Sequence, residues 1–438
     1  MKSFIVLLGL VSLTIRANAE PQTAAADART PLQLHALHQQ ALDADPRLRE
    51  LGLEAAKTEL RTRNILAGRL PVITVNGQAQ YQSDVPTPPS ILPSGQPLFT
   101  GPKDTYDAYL RVEQSLIDST IDSRRAVERA QLDEAQARVR TALFGLRQDV
   151  NDAFFAAALL QERASALAAT IADLETRLRE ASARVREGTA LIDDAAAVEA
   201  TLLQRRQDAA EIQANRRAAL ARLGQLTHRS ITEDDVLALP ALGADVETTR
   251  RTLAEVRARP EYLQFSSARD RLARQQDLAT AQDRPRMTAF ARAGYAKPGL
   301  NFISDKFETY WLAGVQLQWR AWTWGAASRE REALAVQQQI TQADEAAFTE
   351  GLRRAVVPDL ATIDRLQAAL GLDDRIVTLR ESIERRTQAR FREGVVTAAE
   401  YLDRSTELLD AQFARAGHRV EVAQASARLL TTVGLEVR

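Results

Sequence analysis

Two apolar rhythms run along the chain. Between residues 143 and 185 the positions 143, 146, 150, 153, 157, 160, 164, 167, 171, 174, 178, 181 and 185 are all apolar, and Arg, Glu and Asp fill most flanking positions. Spacings that alternate three and four are the a/d pattern of a coiled-coil seam, sustained here over six heptads. The expected helix, from about Ser123 to Arg186, measures roughly 95 Å at the helical rise per residue. The segment 193–223 is expected to run back as its antiparallel partner. A second such pair is expected at 328–392 and 397–432. Pro358 falls inside the second long helix, where it removes a donor and crowds the preceding turn; a kink or break is expected near Val357.

The other rhythm has period two. Residues 72–81 follow Leu70-Pro71, and 106–117 alternates Tyr109, Arg111 and Glu113 against Leu110, Val112 and Gln114. Residues 287–295 and 310–322 form a second strand pair. The first pair is joined by 84–104, a loop holding six of the 15 prolines; the second by a shorter loop at 297–307.

The two sets of elements are copies. Residues 45–81 align without a gap on 259–295, placing Pro46 on Pro260, Pro71 on Pro285 and Tyr81 on Tyr295. Ala183-Arg184-Val185-Arg186-Glu187-Gly188 matches Ala389-Arg390-Phe391-Arg392-Glu393-Gly394 at five of six positions. The expected organisation is a signal peptide at 1–19, a first repeat at 20–223, a linker at 224–259 that joins the termini in a belt around the helices, and a second repeat at 260–438. Within the repeats the strand pairs are 71–81 with 106–118 and 286–296 with 310–324, and the helical hairpins are 123–223 and 326–434.

Composition sharpens this picture. The chain has 19 Gly and 15 Pro in 438 residues, few turn formers for its length, as long helices require. No Cys and four scattered His argue against thiol or zinc chemistry. A net charge of −1 argues against nucleic-acid binding. Lys2, the apolar run 4–13 and Ala17-Asn18-Ala19 have the pattern of a secretory signal peptide. No later stretch has 18 consecutive apolar residues, so any membrane crossing must use strands. All four Trp (Trp311, Trp319, Trp322 and Trp324) fall in the last expected strand, as in the aromatic girdle of a membrane barrel; the alternative is a soluble sandwich with aromatic packing. Four strands cannot close a membrane barrel, which needs about eight. Several chains must therefore share one barrel, and three would give 12 strands.

The Asp45-Pro46 and Arg259-Pro260 helix starts, the Leu70-Pro71 lead into the first strand, the duplicated Arg-x-Arg-Glu-Gly turn and the element order resemble the TolC-type outer-membrane efflux proteins. The resemblance spans essentially the whole chain after residue 19. Where members usually carry a Pro-Leu-Phe-Asp-Gly-Gly-like stretch, this chain has Arg320-Ala321-Trp322-Thr323-Trp324-Gly325. The resemblance implies a mainly α fold with a membrane β part: a homotrimeric 12-stranded barrel, continuous with a long α-helical coiled-coil barrel in the periplasm. It implies an exit duct in the cell outer membrane, in contact with its lipid, docked onto a periplasmic adaptor and an inner-membrane pump. The adaptor-docking tips would be Gly188, Thr189, Ala190 and Leu191 with Gly394, Val395, Val396 and Thr397. Carboxylates at the positions of Glu400 and Asp403 ring the periplasmic aperture in the family. With Asp194, they are the expected gate, and Arg184, Arg186, Arg390 and Arg392 are candidate partners for them; the alternative is a solvated, charged helix face. No catalytic residue, metal or cofactor is expected. Small toxic compounds lead as cargo, since neither Met clusters nor His runs hint at metal; protein secretion and heavy-metal efflux are the alternatives, and a coiled-coil surface protein is a remote one.

Overall fold

A computed structural model describes residues 30–85, 101–189, 191–252, 257–301 and 304–437. The expected signal peptide, most of the 84–104 loop and Ala190 of the first tip lie outside the described residues. The elements run β1 (Leu32–Gln33), α1 (Leu34–Ala44), α2 (Leu48–Ala67), β2 (Val72–Tyr81), β3 (Asp104–Ile117), α3 (Thr120–Arg186) and α4 (Ile192–Thr227). There follow β4 (Leu237–Ala238), α5 (Gly243–Thr252), α6 (Pro260–Gln282), β5 (Arg286–Lys297), β6 (Glu308–Gln318), α7 (Ala326–Arg392) and α8 (Ala398–Val433). The two halves match in order and in length: α3 and α7 have 67 residues each, α4 and α8 36 each.

The apolar seam explains α3. Leu143, Leu146, Val150, Ala153, Ala157, Leu167, Leu174 and Ala181 are buried, and the other five seam positions are half-buried. The largest core lies midway along the helices, where Leu34 and Leu37 of α1 meet Phe154 and Phe155 of α3, Leu220 and Leu223 of α4, and Leu430 of α8. Leu237 and Leu242 from the segment between the halves join it. A buried polar chain crosses this core: the His38 imidazole bonds Asn151 at 2.8 Å, and the Asn151 amide donates to the Thr431 hydroxyl at 3.1 Å. The two-residue strands β1 and β4 pair in parallel, tying the start of the described chain to the linker.

The four remaining strands form one antiparallel sheet in the order β2-β3-β5-β6, so the halves meet at β3 and β5 and the edges are β2 and β6. Two expectations need correction. The last strand ends at Gln318, not beyond Trp322, because Gln318 pairs with Arg286, the first residue of β5, and further residues have no partner strand. Only Trp311 is therefore in a strand. Trp319, Trp322 and Trp324 sit in the connection to α7, where Trp324 and Gly325 take the left-handed conformation (φ 52° and 74°) that turns the chain into the helix. The second correction concerns Pro358, which does not break α7. The missing N–H leaves the Arg354 carbonyl without its partner on an exposed face, while Val356 and Ile363 stay buried on the opposite side and hold the helix.

Candidate functional site

The sheet is inverted with respect to a soluble one. Register places Thr74, Asn76 and Gln78 of β2 on one face with Asp107, Tyr109, Arg111 and Glu113 of β3 and Phe290 and Arg292 of β5. The opposite face carries Ile73, Val75, Leu110, Val112, Ala291, Ala293, Tyr295, Trp311, Ala313, Val315 and Leu317. Along β6 Trp311, Ala313, Val315 and Leu317 on this face are exposed, while on the polar face Glu308, Tyr310, Leu312 and Gly314 are half-covered by their neighbours and Gln316 and Gln318 are exposed. Apolar side chains turned outward and polar ones turned inward are what a strand needs between lipid and an aqueous lumen.

At the other end of the long helices the two hairpins reverse with one geometry. Gly188 and Gly394 have φ of 74° and 71°. In each turn the residue after the glycine donates across the reversal, Thr189 to the Arg184 carbonyl and Val395 to the Arg390 carbonyl, both at 2.9 Å. The helices that leave the turns start differently. Thr397 accepts from the Glu400 amide at 3.3 Å, a side-chain cap that Leu191 cannot make. Asp194 instead reaches across the hairpins and accepts from the Ala398 amide at 3.2 Å, so the carboxylate of the first half caps the helix of the second.

The structure separates the expected gate carboxylates from their expected partners. Arg184 donates to the Phe391 carbonyl at 3.1 Å and lies 5.7 Å from that ring's centre. Arg392 pairs with Glu180 at 3.6 Å. Arg186 and Arg390 are exposed near the turns. Among the described residues of one chain, no ion pair joins any of these four arginines to Asp194, Glu400 or Asp403, because the arginines end the outgoing helices and the carboxylates begin the returning ones. Glu400 is half-exposed and Asp403 exposed.

What holds the tips together had no signal in the turns. Tyr401 is fully buried, stacks on Phe391 with ring centres 5.4 Å apart, and donates its hydroxyl to Asp173 of α3. Asp173 also accepts from Gln388 of α7 at 3.3 Å and pairs with Arg177 at 3.0 Å. Arg177, itself buried, holds Glu180 at 2.7 Å. One carboxylate thus ties α3, α7 and α8, above an apolar cluster of Leu174, Val198, Leu202, Phe391 and Leu402. Burial, then the Asp173 bond and charge, push the Tyr401 phenol far up, so it is a permanent donor. Burial and the Asp173 charge also raise the Glu384 carboxyl. A polar residue one step from the seam position Leu174 was the one clue to Asp173.

Residues 37–228 match the outer membrane efflux protein family. This agrees with the resemblance read from the duplicated turns and strand pairs. A search of curated proteins gives no significant match. Several solved structures have the fold over nearly the whole chain. VceC, an outer membrane protein of Vibrio cholerae, is 17% identical with a TM-score of 0.63, over 92% of this chain and 97% of VceC. MtrE, the outer membrane channel of Neisseria gonorrhoeae in its open state, is 18% identical with a TM-score of 0.64, over 92% of this chain and 89% of its own. The outer-membrane channel OprN is 17% identical with a TM-score of 0.64, at the same two coverages. At such identities the likeness is one of fold. The family is one of efflux proteins and these neighbours are outer-membrane proteins, not enzymes. Within this fold the inverted sheet lies at one end of the long helices and the glycine turns at the other.

Proposed function

We propose that this chain is the outer-membrane exit duct of a tripartite efflux system, passing small toxic compounds from a periplasmic adaptor and an inner-membrane pump to the exterior. The observation that carries the reading is the inverted sheet with unpaired edges at β2 and β6. In lipid those edges must be paired, since no water can satisfy them. Three chains, each with two copies of one unit, pair β6 of one with β2 of the next and close a 12-stranded barrel, polar face inward. Trp311, with Trp319, Trp322 and Trp324 at the helical end of the sheet, lies in the interfacial girdle. The helices continue the barrel into the periplasm, and exposed Leu53 and Leu60 of α2 with Leu372 and Leu379 of α7 are apolar surface for neighbouring chains to cover.

At the tips, exposed Leu191, Ile192 and Val395 are apolar contacts for the adaptor. Glu400 and Asp403 from three chains bring six negative charges to one aperture, which favours cations and permits block by polyvalent ones. The Asp173–Tyr401 tie holds the hairpins of each chain together while the aperture is closed.

The test is reconstitution. Protein purified from outer membranes should run as a heat-resistant trimer and open pores in planar bilayers; a monomer that opens none overturns the reading. Glu400→Ala/Asp403→Ala should lower cation selectivity and relieve polyvalent-cation block, and pores unchanged in both respects would remove the gate assignment alone.

A further inference from the structure

The polar face of the sheet carries an assembly that a passive duct does not require. Arg111 of β3 and Arg292 of β5 are register partners, so two guanidinium groups stand side by side at one level of the same face. Like charges directly opposed on an antiparallel pair repel. Each arginine is bound to a carboxylate, Arg292 to Asp107 and Arg111 to Glu113. Each also lies against aromatic rings. The Arg292 guanidinium carbon is 3.5 Å from the ring centre of Tyr109 and 5.2 Å from that of Tyr310, and Arg111 is 5.8 Å from that of Phe290. The Tyr310 hydroxyl donates to Asp107 at 2.8 Å, fixing the second ring.

Glycines make room for this. A Cβ on Gly294 would sit 2.7 Å from the Tyr109 Cβ and 3.0 Å from the Tyr310 ring, and one on Gly314 2.9 Å from the Phe290 ring. The three rings can therefore lie down on the wall rather than stand out from it. The carboxylates do not use up the donors: each guanidinium has five N–H groups, and both arginine side chains remain partly exposed on this face. Paired guanidiniums with donors to spare, beside flat rings, match a ligand that is itself flat and acidic. Its acid group would lie between the two positive charges and offset their repulsion; a cation of the same shape would add to it.

We propose that Arg111 and Arg292, with Tyr109, Tyr310 and Phe290, form a binding site for small aromatic anions, such as aryl sulfonates or carboxylates, on the inner wall of the barrel. The site rests on the reading that this face lines the lumen of a three-chain barrel, where it is repeated three times around one level. Cargo of that class is selected at the membrane end, as a function separate from the carboxylates of the tips.

The test uses the full-length reconstituted protein and two probes of one shape, naphthalene-1-sulfonate and 1-naphthylmethylammonium, added from the side of the strand-connecting loops. The sulfonate should block conductance at lower concentration than the ammonium. Arg111→Gln and Arg292→Gln should each weaken sulfonate block about tenfold, the size of one charge-assisted hydrogen bond. The double variant Arg111→Lys/Arg292→Lys keeps the charges for the case in which the glutamine variants fail to assemble. It should retain part of the preference and lose the rest with the planar donors. Equal block of the native pore by both probes overturns the site, as does sulfonate block unchanged in the variants that assemble. A native protein that opens no pore overturns the barrel reading, a result distinct from either of those.

Discussion

Along α3 the exposed positions include Arg129, Asp133, Arg138, Arg140, Asp149 and Asp152, and the apolar seam is covered; along β6 Trp311, Val315 and Leu317 are exposed, and Tyr310 and Leu312 are half-covered. One chain thus obeys opposite burial rules in two regions a short turn apart. The helices are stabilised in the ordinary way, by removing apolar area from water. On the proposed reading the sheet keeps its polar groups for the inside and leaves its apolar face to a solvent that is not water. Exposure therefore means different things in the two regions, and substitutions should show it.

The largest effect is expected in the helical region. Tyr401→Ala removes a fully buried ring and strands Asp173 without its donor, for a cost of about 3–5 kcal/mol. Thermal unfolding should fall accordingly, and pores should open more readily because three helices lose their common tie. Tyr401→Phe keeps the ring and separates the two terms, with a loss of about 1–2 kcal/mol.

Next comes a pair of neighbours in β6. Val315 and Gln316 are both exposed, but they point to opposite faces. Val315→Arg should cost about 2–4 kcal/mol of insertion, the penalty for a charge on a lipid-facing strand, whereas Gln316→Arg should be tolerated on the lumenal side. The yield of heat-resistant trimers in liposomes measures both. Equal tolerance would break the contrast between sheet and helices, since a water-exposed strand accepts arginine at either position.

Those contrasts also explain what could be read in advance. The α3 seam was legible because its rhythm repeats for thirteen positions and every one is covered at least in part. The strands β2, β3 and β5 were legible to within two residues, β3 from its alternation, β2 from the run behind Leu70-Pro71 and β5 from the duplication. The end of β6 was not, because a strand stops where its partner stops, and Arg286 is far from Trp322 in sequence. The tip tie was invisible for the same reason on a larger scale: Asp173 and Tyr401 are 228 positions apart. The arginines of the duplicated turns were conspicuous, but within one chain Arg184 meets a carbonyl and a ring and Arg392 pairs with Glu180, while Arg186 and Arg390 are exposed; none pairs with Asp194, Glu400 or Asp403.

Acid should act on the helical region through His38. Burial, partly opposed by the Asn151 bond, lowers its pKa from 6.5 to about 4. The folded imidazole is thus neutral where the unfolded one takes a proton, so stability is unaffected near pH 7. It is lost as pH falls from 6.5 towards about 4, by up to ~3 kcal/mol at the end of the window. His38→Gln, which can still bond Asn151, should flatten unfolding temperature across that range; an equal acid loss in the variant would assign the effect elsewhere.

The smallest expected effect has the opposite sign and sits at the tip. Glu384 is raised above the ordinary glutamate value first by burial and then by the negative Asp173, with Arg177 and Arg385 opposing. The folded carboxyl therefore holds its proton at a pH where the unfolded one has released it. Its ionised form works against the closed tip, and that penalty is relieved as pH falls through the raised value towards 4.5 and returns as pH rises. Acid should accordingly tighten the hairpin tie while loosening the core around His38. Glu384→Gln imitates the protonated state, so its pores should stay closed more of the time at neutral pH and respond less to mild acid. Should Glu384→Gln pores instead open more often, the residue would be acting as a partner of Arg177 and Arg385 rather than as a strained neighbour of Asp173.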